Sequence, residues 1–394
     1  MQKLRNRQIG PHCILSCLYF LLLPTTIAIN SAGNSILKLA TIPIGLFFLV
    51  TLLFSKRKLQ INAVHLALIF FTLTVVATLF CDAQATFVDF VIGYALNAAL
   101  YICLSVIPYN KTELELLENV QIVLLIILNV MALVSGGNED NRTTLVIMGQ
   151  TSDPNFFVGF FVFPLTVALK KLVSRKHTLL YLVLIAISFY SIFLSGSRGG
   201  LLAIAVTVAA FALLYPSKGS TRVKLLVGGM VLILLFWGIF KPLLPDNIVE
   251  RMSVDAVVES GGTGRIKIWK SMLQEIVDQP EKLLLGRGIN ATHRMFLGRS
   301  WNNAFAHNQV IQTLYNQGLI GLLAFLAMTA ISFFRCVKRR KTVAIAILGM
   351  MALSLSLSFN QTTRTFWNLI AYAAFAFPDS DTDTEKDGGL SDHE

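Results

Sequence analysis

One histidine lies where the chain passes from a polar stretch into an apolar one, and its position favours proton transfer. His307 and Asn308 precede an amphipathic run that reaches Gly318, and an apolar segment follows over residues 319–334. If that segment crosses a bilayer, the imidazole lies near a helix start at the membrane surface. A helix N-terminus presents free N–H groups and partial positive charge, which disfavour imidazolium. A neutral imidazole can accept a proton near pH 7, although an ordinary polar helix start explains the same pattern.

An arginine between two apolar runs is the second candidate. Arg198 lies in residues 195–200, which read SGSRGG, and its small neighbours leave room for a bulky ligand. An arginine at membrane depth or just outside is costly unless it has an anionic partner. Guanidinium binds phosphate groups in a fork, so a phosphate or diphosphate is the expected ligand. The alternative is an arginine in a tight turn whose side chain reaches the membrane surface.

More cations lie in a long polar segment, residues 241–306, which carries nine Lys or Arg and seven Asp or Glu. Within it, residues 264–277 have apolar side chains at helical spacing, which predicts an amphipathic helix. Arg265 opens that helix, Arg287 follows it, and Arg364 lies on a separate turn. Each could be a solvated surface charge, but together they indicate a site for an anionic substrate.

Composition sets the class of protein. The chain has 394 residues, of which 55% are hydrophobic and 14% are charged, whereas soluble domains carry roughly 25% charged residues. The net charge of +11 is spread over short loops between apolar runs, so nucleic-acid binding is not expected. A membrane-spanning helix needs roughly 20 apolar residues. The sequence therefore predicts one all-α integral membrane domain over residues 1–394, with twelve apolar runs at residues 12–29, 35–54, 61–80, 86–107, 115–135, 154–169, 177–194, 199–215, 223–240, 309–334, 342–359 and 363–377.

The distribution of Lys and Arg predicts the orientation of those helices. Cytoplasmic loops are enriched in these residues. With the N-terminus inside, the inner segments carry twenty Lys or Arg and the short outer segments carry four. Both termini are therefore expected in the cytoplasm, with residues 241–306 as one long extracytoplasmic loop. The acidic segment at residues 379–394 reads as a disordered cytoplasmic tail.

Other kinds of site are not indicated. Five cysteines lie in or beside apolar runs without metal-ligand spacing, so neither a zinc site nor a disulfide framework is expected. The tail aspartates lack the glycine of a calcium loop, so no metal and no cofactor are predicted. A smaller outer loop ends in Asp153, Pro154 and Asn155, a pattern typical of a helix start. That pattern is either a plain cap or part of the site.

Four short motifs, in order, resemble the O-antigen ligase and O-antigen polymerase family of membrane glycosyltransferases (Wzy_C type). They are SGSRGGLLA at residues 195–203, GRIKIWKSML at 264–273, LLGRGIN at 284–290 and HNQVIQTLYNQGLIG at 307–321. The last contains His-Asn, nine residues and then Gly-x-x-Gly. The resemblance covers residues 153 to about 334, while the first five helices match only in hydropathy.

The resemblance implies a GT-C-like bundle of about twelve transmembrane helices whose outer loop closes over the site. It also implies an undecaprenyl-diphosphate-linked glycan donor and a glycan, lipid or wall-polymer acceptor, without a metal or nucleotide sugar. Arg198 and Arg265 fall on arginines thought to hold the diphosphate, and His307 falls on the proposed general base. Asn308 falls on its neighbour, and Arg287 and Arg364 are further candidates for substrate binding.

The predicted function is thus transfer of a lipid-linked glycan to an acceptor hydroxyl at the outer face of a bacterial cytoplasmic membrane. A ligase and a repeat-unit polymerase would use the same parts and differ in acceptor, with the His307 segment closer to ligases. A flippase or transporter for lipid-linked sugars is an alternative of another class, although no internal repeat is evident. A non-catalytic partner in a wall-synthesis complex would tolerate loss of His307.

Overall fold

A computed structural model gives the fold. It describes residues 9–27, 36–81, 85–134, 142–147, 149–174, 177–215, 244–251, 265–289, 291–296, 305–359 and 363–375, with isolated positions between 219 and 242. The described residues are almost entirely helical, which confirms the predicted all-α class. The acidic tail and most of the predicted span at 223–240 lie outside the described residues.

The first half of the described chain is a series of apolar helices. They are α1 (Pro11–Leu21), a 3₁₀ turn (Leu23–Thr26), α2 (Ile36–Phe54), α3 (Ala63–Ala77), a second 3₁₀ turn (Thr78–Phe80), α4 (Ala85–Val106) and α5 (Lys111–Val134). A two-residue antiparallel ladder follows, in which β1 (Val146–Ile147) pairs with β2 (Gln150–Thr151). Three more helices come next: α6 (Pro154–Val173), α7 (Thr178–Leu194) and α8 (Arg198–Leu214).

The second half contains the polar segment and the last bundle helices. Its elements are α9 (Asp246–Arg251), α10 (Arg265–Asp278), a 3₁₀ turn (Pro280–Lys282), α11 (Ala291–Phe296), α12 (Gln309–Arg339), α13 (Lys341–Leu353) and α14 (Arg364–Ala374). The predicted amphipathic helix at residues 264–277 corresponds to α10. Its residues Ile268, Met272 and Ile276 are buried.

Within the described part of the chain, four helical segments are long and apolar enough to cross a bilayer. They are Ala63–Phe80, Lys111–Val134, Pro154–Val173 and Gln309–Lys338, and six shorter apolar helices accompany them. Large apolar side chains also face outward: Phe54, Phe80 and Val134 are 80%, 91% and 80% exposed. Soluble monomers rarely expose such extensive apolar surface, so the chain is an all-α membrane protein.

One end of the bundle collects basic residues that the sequence assigns to the inner side. Arg57 pairs with Glu113, and its Nη2 lies 2.9 Å from Oε1 of that fully buried carboxylate. Glu113 also accepts hydrogen bonds from the backbone amides of Gly10 and Asn110, both at 2.7 Å. Lys170 pairs with Glu118 near the same end. A buried carboxylate satisfied in this way ties α1, α5 and the segment between α2 and α3 together.

The last two helices differ from their prediction, because both are too short to cross a bilayer. α13 has 13 residues and α14 has 11, about 20 Å and 17 Å at 1.5 Å per residue, against a hydrocarbon core of ~30 Å. A hydrogen bond from Arg340 to the carbonyl of Tyr372 joins the start of α13 to the end of α14. Residues 354–359 and 363, which lie between the two helices, are therefore within the depth of the bundle.

Non-helical backbone at that depth is tolerated only where protein groups satisfy it. The amide of Gln309 donates to the carbonyl of Ser354 at 2.8 Å. The amide of Phe359 donates to Oε1 of Gln309, and Tyr94 donates to the carbonyl of Phe359 at 3.1 Å. The joint between α13 and α14 is thus bonded to the start of α12.

Candidate active site

His307 stands immediately before α12, in a backbone conformation that non-glycine residues seldom adopt. Its φ is 50°, in the left-handed region. Asn308 caps the helix, and its Oδ1 accepts hydrogen bonds from the amides of Val310 and Ile311 at 3.0 and 3.1 Å. Strained residues of this kind cluster at functional sites. The cap occupies the amide oxygen of Asn308, so that atom positions the helix start and is not available to a substrate.

Two charged residues, Arg265 and Asp153, affect the pKa of His307. Burial lowers the pKa of His307 below its usual range, and the Arg265 guanidinium lowers it further, whereas Asp153 acts in the opposite direction. Neutral imidazole is therefore favoured near pH 7.

Arg198 is held in a turn that is bonded to the start of α6. Ser197 caps α8, accepting a hydrogen bond from the Gly200 amide at 2.9 Å, and its hydroxyl donates to Oδ1 of Asn155 at 2.6 Å. Asp153 caps α6 two residues before Asn155, with its carboxylate accepting from the Asn155 amide at 2.8 Å. The Arg198 turn and the Asp153 cap are therefore neighbours.

Ser354 and Ser356, in the connection between α13 and α14, link the Arg198 turn to the start of α12. The α-carbon of Gly199 packs so closely against Ser356 that a side chain at position 199 would overlap its hydroxyl. Two residues earlier, Ser354 accepts the hydrogen bond from Gln309. One short segment thus contacts the residue after Arg198 and the helix turn after His307, which places both on the same side of the bundle.

α10 is fixed directly to the residue before His307. The indole of Trp269 donates a hydrogen bond to the carbonyl of Ala306 at 2.8 Å. Ile268, Met272 and Tyr315 belong to the apolar cluster that packs this helix against the first turns of α12. Arg265, at the start of α10, is therefore positioned by packing as well as by the chain.

Two glycines lock the polar segment to a break in α12. Gly318 has non-helical angles inside α12, φ 67° and ψ −168°, and Gly286 has a φ of 79°. The amides of Leu319 and Ile320 donate to the carbonyls of Leu283 and Leu284 at 2.8 and 3.2 Å. In return, the amides of the two residues after Gly286 donate to the carbonyls of residues 315 and 316 at 3.2 and 2.9 Å. We call these contacts the glycine lock.

Arg287 is built into the packing of the polar segment and is 5% exposed. Its Nη2 donates to the carbonyl of Glu275, its Nε lies 3.4 Å from the Glu275 carboxylate, and its guanidinium lies 4.9 Å from the centre of the Tyr315 ring. A role in holding α10 against α12 explains these contacts. The structure gives Arg287 protein partners where the sequence predicted a substrate.

Arg364 lies elsewhere, inside the helix bundle. It is 7% exposed, and its Nη1 donates to the hydroxyls of Thr41 and Tyr19 at 2.7 and 3.4 Å. Those residues belong to α2 and α1, neither of which carries a candidate site residue. These hydrogen bonds join the start of α14 to α1 and α2, and neither of them involves another candidate site residue. Arg364 is the first residue of α14, a short helix of 11 residues.

Residues that the sequence did not single out complete the site. Gln309 and Ser356 connect the start of α12 to the Arg198 turn through the contacts described above. Gln312 accepts a hydrogen bond from the Ala306 amide at 2.7 Å. The sequence of residues 354–359, SLSLSF, could have indicated this segment, because its alternating serines interrupt an apolar run. Within the described residues, no three His, Cys, Asp or Glu side chains converge as a metal site requires.

Comparison with known proteins matches the part of the chain that contains this cluster. Residues 183–326 match the family described as O-antigen ligase (Wzy_C). An O-antigen ligase of Pseudomonas aeruginosa is 30% identical over 93 residues, which are 24% of this chain and 22% of that protein. The match thus spans about a fifth of the relative's length. Arg198, Arg265 and His307 lie within the matched residues, whereas Arg364 lies outside them. Residues 183–326, less than half of this membrane protein, are therefore similar to the O-antigen ligase (Wzy_C) family.

Proposed function

We propose that the protein transfers a glycan from undecaprenyl diphosphate to an acceptor hydroxyl at the outer face of a bacterial cytoplasmic membrane. The observation that carries this proposal is the hydrogen bond that fixes α10, which begins at Arg265, to the residue before His307, inside the residues that match the O-antigen ligase family. The grouping of Arg57 and Lys170 at the opposite end supports an outer location for the site, with both termini in the cytoplasm.

The proposed chemistry is a single displacement. The acceptor oxygen attacks the anomeric carbon, the bond from that carbon to the diphosphate oxygen breaks, and the acceptor proton passes to the imidazole of His307. Undecaprenyl diphosphate leaves with the bonding electrons, and Arg198 and Arg265 offset the charge that develops on it. Attack opposite the leaving group inverts the anomeric configuration. A metal is not needed for any of these steps.

The acceptor distinguishes two versions of the same function. A ligase passes the glycan to a lipid, protein or wall polymer, whereas a polymerase passes it to another lipid-linked repeat unit. The description of the matched family and of the Pseudomonas relative favours the ligase.

A reconstituted reaction tests the proposal. Purified protein in liposomes is given an undecaprenyl-diphosphate-linked glycan together with lipid A-core, a wall polymer or a second lipid-linked repeat unit. We expect one of these acceptors to gain the glycan, with one undecaprenyl diphosphate released per bond formed and no loss of rate when EDTA is added. Release of undecaprenyl diphosphate without a glycosylated product, or loss of rate in EDTA, would contradict this mechanism.

A transporter of lipid-linked sugars is the second candidate, and one observation favours it. Helices broken within the bundle, such as α13 and α14, also form substrate sites in secondary transporters. A transporter would move the labelled donor between leaflets of the same liposomes without cleaving it. Donor movement without bond formation would therefore replace the transferase proposal.

The pH dependence of transfer should shift in opposite directions in two variants. The wild-type rate is expected to fall as pH drops through the lowered pKa of His307, because imidazolium cannot accept a proton. Arg265→Gln removes a positive neighbour, so the pKa rises and the acid limb moves to higher pH. Asp153→Asn removes a negative neighbour, so the acid limb moves to lower pH, and asparagine keeps the helix cap. The measurement is kcat/KM against pH.

A matched control separates local charge from a general electrostatic effect. Lys267→Gln removes the same charge as Arg265→Gln from an exposed position on the same helix. Its pH profile is expected to match the wild type. Shifts of equal size and sign in Lys267→Gln and Arg265→Gln would show that Arg265 acts through the general charge of the helix and not as a neighbour of His307.

A further inference from the structure

A small, mostly apolar chamber lies between α1, α5, α6, α13 and α14, and none of the candidate site residues lines it. The amide of Asn368 borders it and is 4% exposed, and neither its oxygen nor its nitrogen has a hydrogen-bond partner. The buried hydroxyl of Thr365, one turn earlier on the same face of α14, borders the chamber and also has no hydrogen-bond partner. Three polar atoms thus meet in one place without a protein group to satisfy them.

The facing wall of the chamber contains a proline inside α6. Pro164 lies inside α6 and borders the chamber together with Phe160. Proline has no N–H, so it cannot donate the helical hydrogen bond to the carbonyl four residues earlier, which is that of Phe160. Within membrane helices, groups released in this way are commonly satisfied by side chains or ordered water.

The volume of the chamber indicates which molecule it can hold. Its volume is about 20 Å³, and a cavity needs roughly 10–15 Å³ on this measure to hold one water. A buried water forms two to four hydrogen bonds, which corresponds to the polar groups present. The accessible space is therefore close to that of a single water.

We propose that one ordered water occupies this chamber and bridges Asn368 and Thr365 to the turn of α6 that Pro164 opens. The water lies where α6 meets the ends of the two short helices, since Gly159 of α6 packs on Leu353 and Thr365. Asp153 caps α6, and Ser354 and Ser356 contact Gln309 and Gly199 beside the candidate site. The water is therefore a structural ligand that holds α6 and the two short helices, α13 and α14, in register. This inference is independent of the reaction catalysed.

A density map of the full-length protein tests the site directly. At a resolution that shows ordered waters elsewhere in the bundle, a peak is expected within hydrogen-bond distance of Asn368 and Thr365. An empty chamber in such a map, or an Asn368 amide turned onto a protein group, would overturn the proposal.

Thermal stability provides a second test whose sign depends on the water. If the water is present, Thr365→Val and Asn368→Leu each remove one of its partners and lower Tm, and the double variant loses less than the two losses combined. If the chamber is dry, each substitution removes an unsatisfied buried polar group, and Tm rises. Thr166→Val is the matched control, because that buried hydroxyl donates within its own helix, to the Val162 carbonyl at 2.7 Å.

Discussion

Replacing His307 by asparagine is expected to lower the rate of glycan transfer by roughly 10²–10⁴-fold, the usual contribution of a general base. Asparagine is the informative replacement because His307 has a φ of 50°, and asparagine enters the left-handed region more readily than alanine. The variant should keep the cap at Asn308 and the positions of Arg198 and Arg265. Single-turnover transfer and binding of the lipid-linked donor, measured separately, should show lost chemistry with retained affinity.

His177 provides the matched control for this substitution. Among the described residues, it is the other non-glycine residue with a positive φ, 55°, and it directly precedes α7. His177→Asn makes the same chemical change in a similar backbone conformation and should leave the rate unchanged. Turnover of His307→Asn at the wild-type rate would remove the histidine from the chemistry without affecting the similarity of residues 183–326 to the family.

The parts of the site that the sequence predicted are those with a local cause. Asn308 precedes an apolar run and caps it, and Asp153 does the same for α6. Arg265 opens a helix whose apolar spacing is visible in the sequence. Helix caps and amphipathic spacing depend on residues within one or two turns, so a single sequence contains the information needed to predict them.

Contacts between distant segments could not be predicted in this way. Ser356 packs against Gly199, and Ser197 donates to Asn155, yet each is a common residue type in an ordinary local pattern. The same limit explains Arg287 and Arg364. Their charge indicated an anionic ligand, but tertiary packing placed Glu275 beside the first and Thr41 beside the second.

The two short last helices show that mean hydropathy does not predict where a helix ends. Residues 342–359 are apolar enough to read as one span, but α13 ends at Leu353. Serines at 354, 356 and 358 alternate with apolar residues, which keeps the average hydropathy high while their hydroxyls bond to the backbone or to Gln312. The apolar composition of residues 354–359 is therefore consistent with a buried segment, but it does not show that the helix ends at Leu353. Hydrogen bonds to Gln309 and Gln312 of α12 stabilise the non-helical backbone that follows.

Gly318→Ala is expected to open the glycine lock and to destabilise the docking of residues 283–288 by roughly 2–6 kcal/mol. Backbone strain contributes about 1–3 kcal/mol, because the angles at Gly318 lie in a region that is essentially restricted to glycine. Overpacking contributes about another 1–3 kcal/mol. An added Cβ would lie 2.5 Å from the amide nitrogen of Gly286 and still closer to the carbonyl oxygen of Leu284. Both neighbours are backbone atoms, so no side-chain rotation relieves the overlap.

Hydrogen exchange at the amides of Arg287, Gly288, Leu319 and Ile320 measures this effect, because their bonds form the lock. All four are expected to exchange faster in Gly318→Ala, and transfer should weaken because α10 and Arg265 depend on the same docking. Gly149→Ala is the control: its φ is 75°, but no atom lies within 4 Å of an added Cβ. It imposes the left-handed conformation without the overlap and should leave the four amides protected. Equal exchange in Gly318→Ala and the wild type would show that the break in α12 does not hold the polar segment. The positioning of Arg265 would then depend on the apolar contacts of α10 alone.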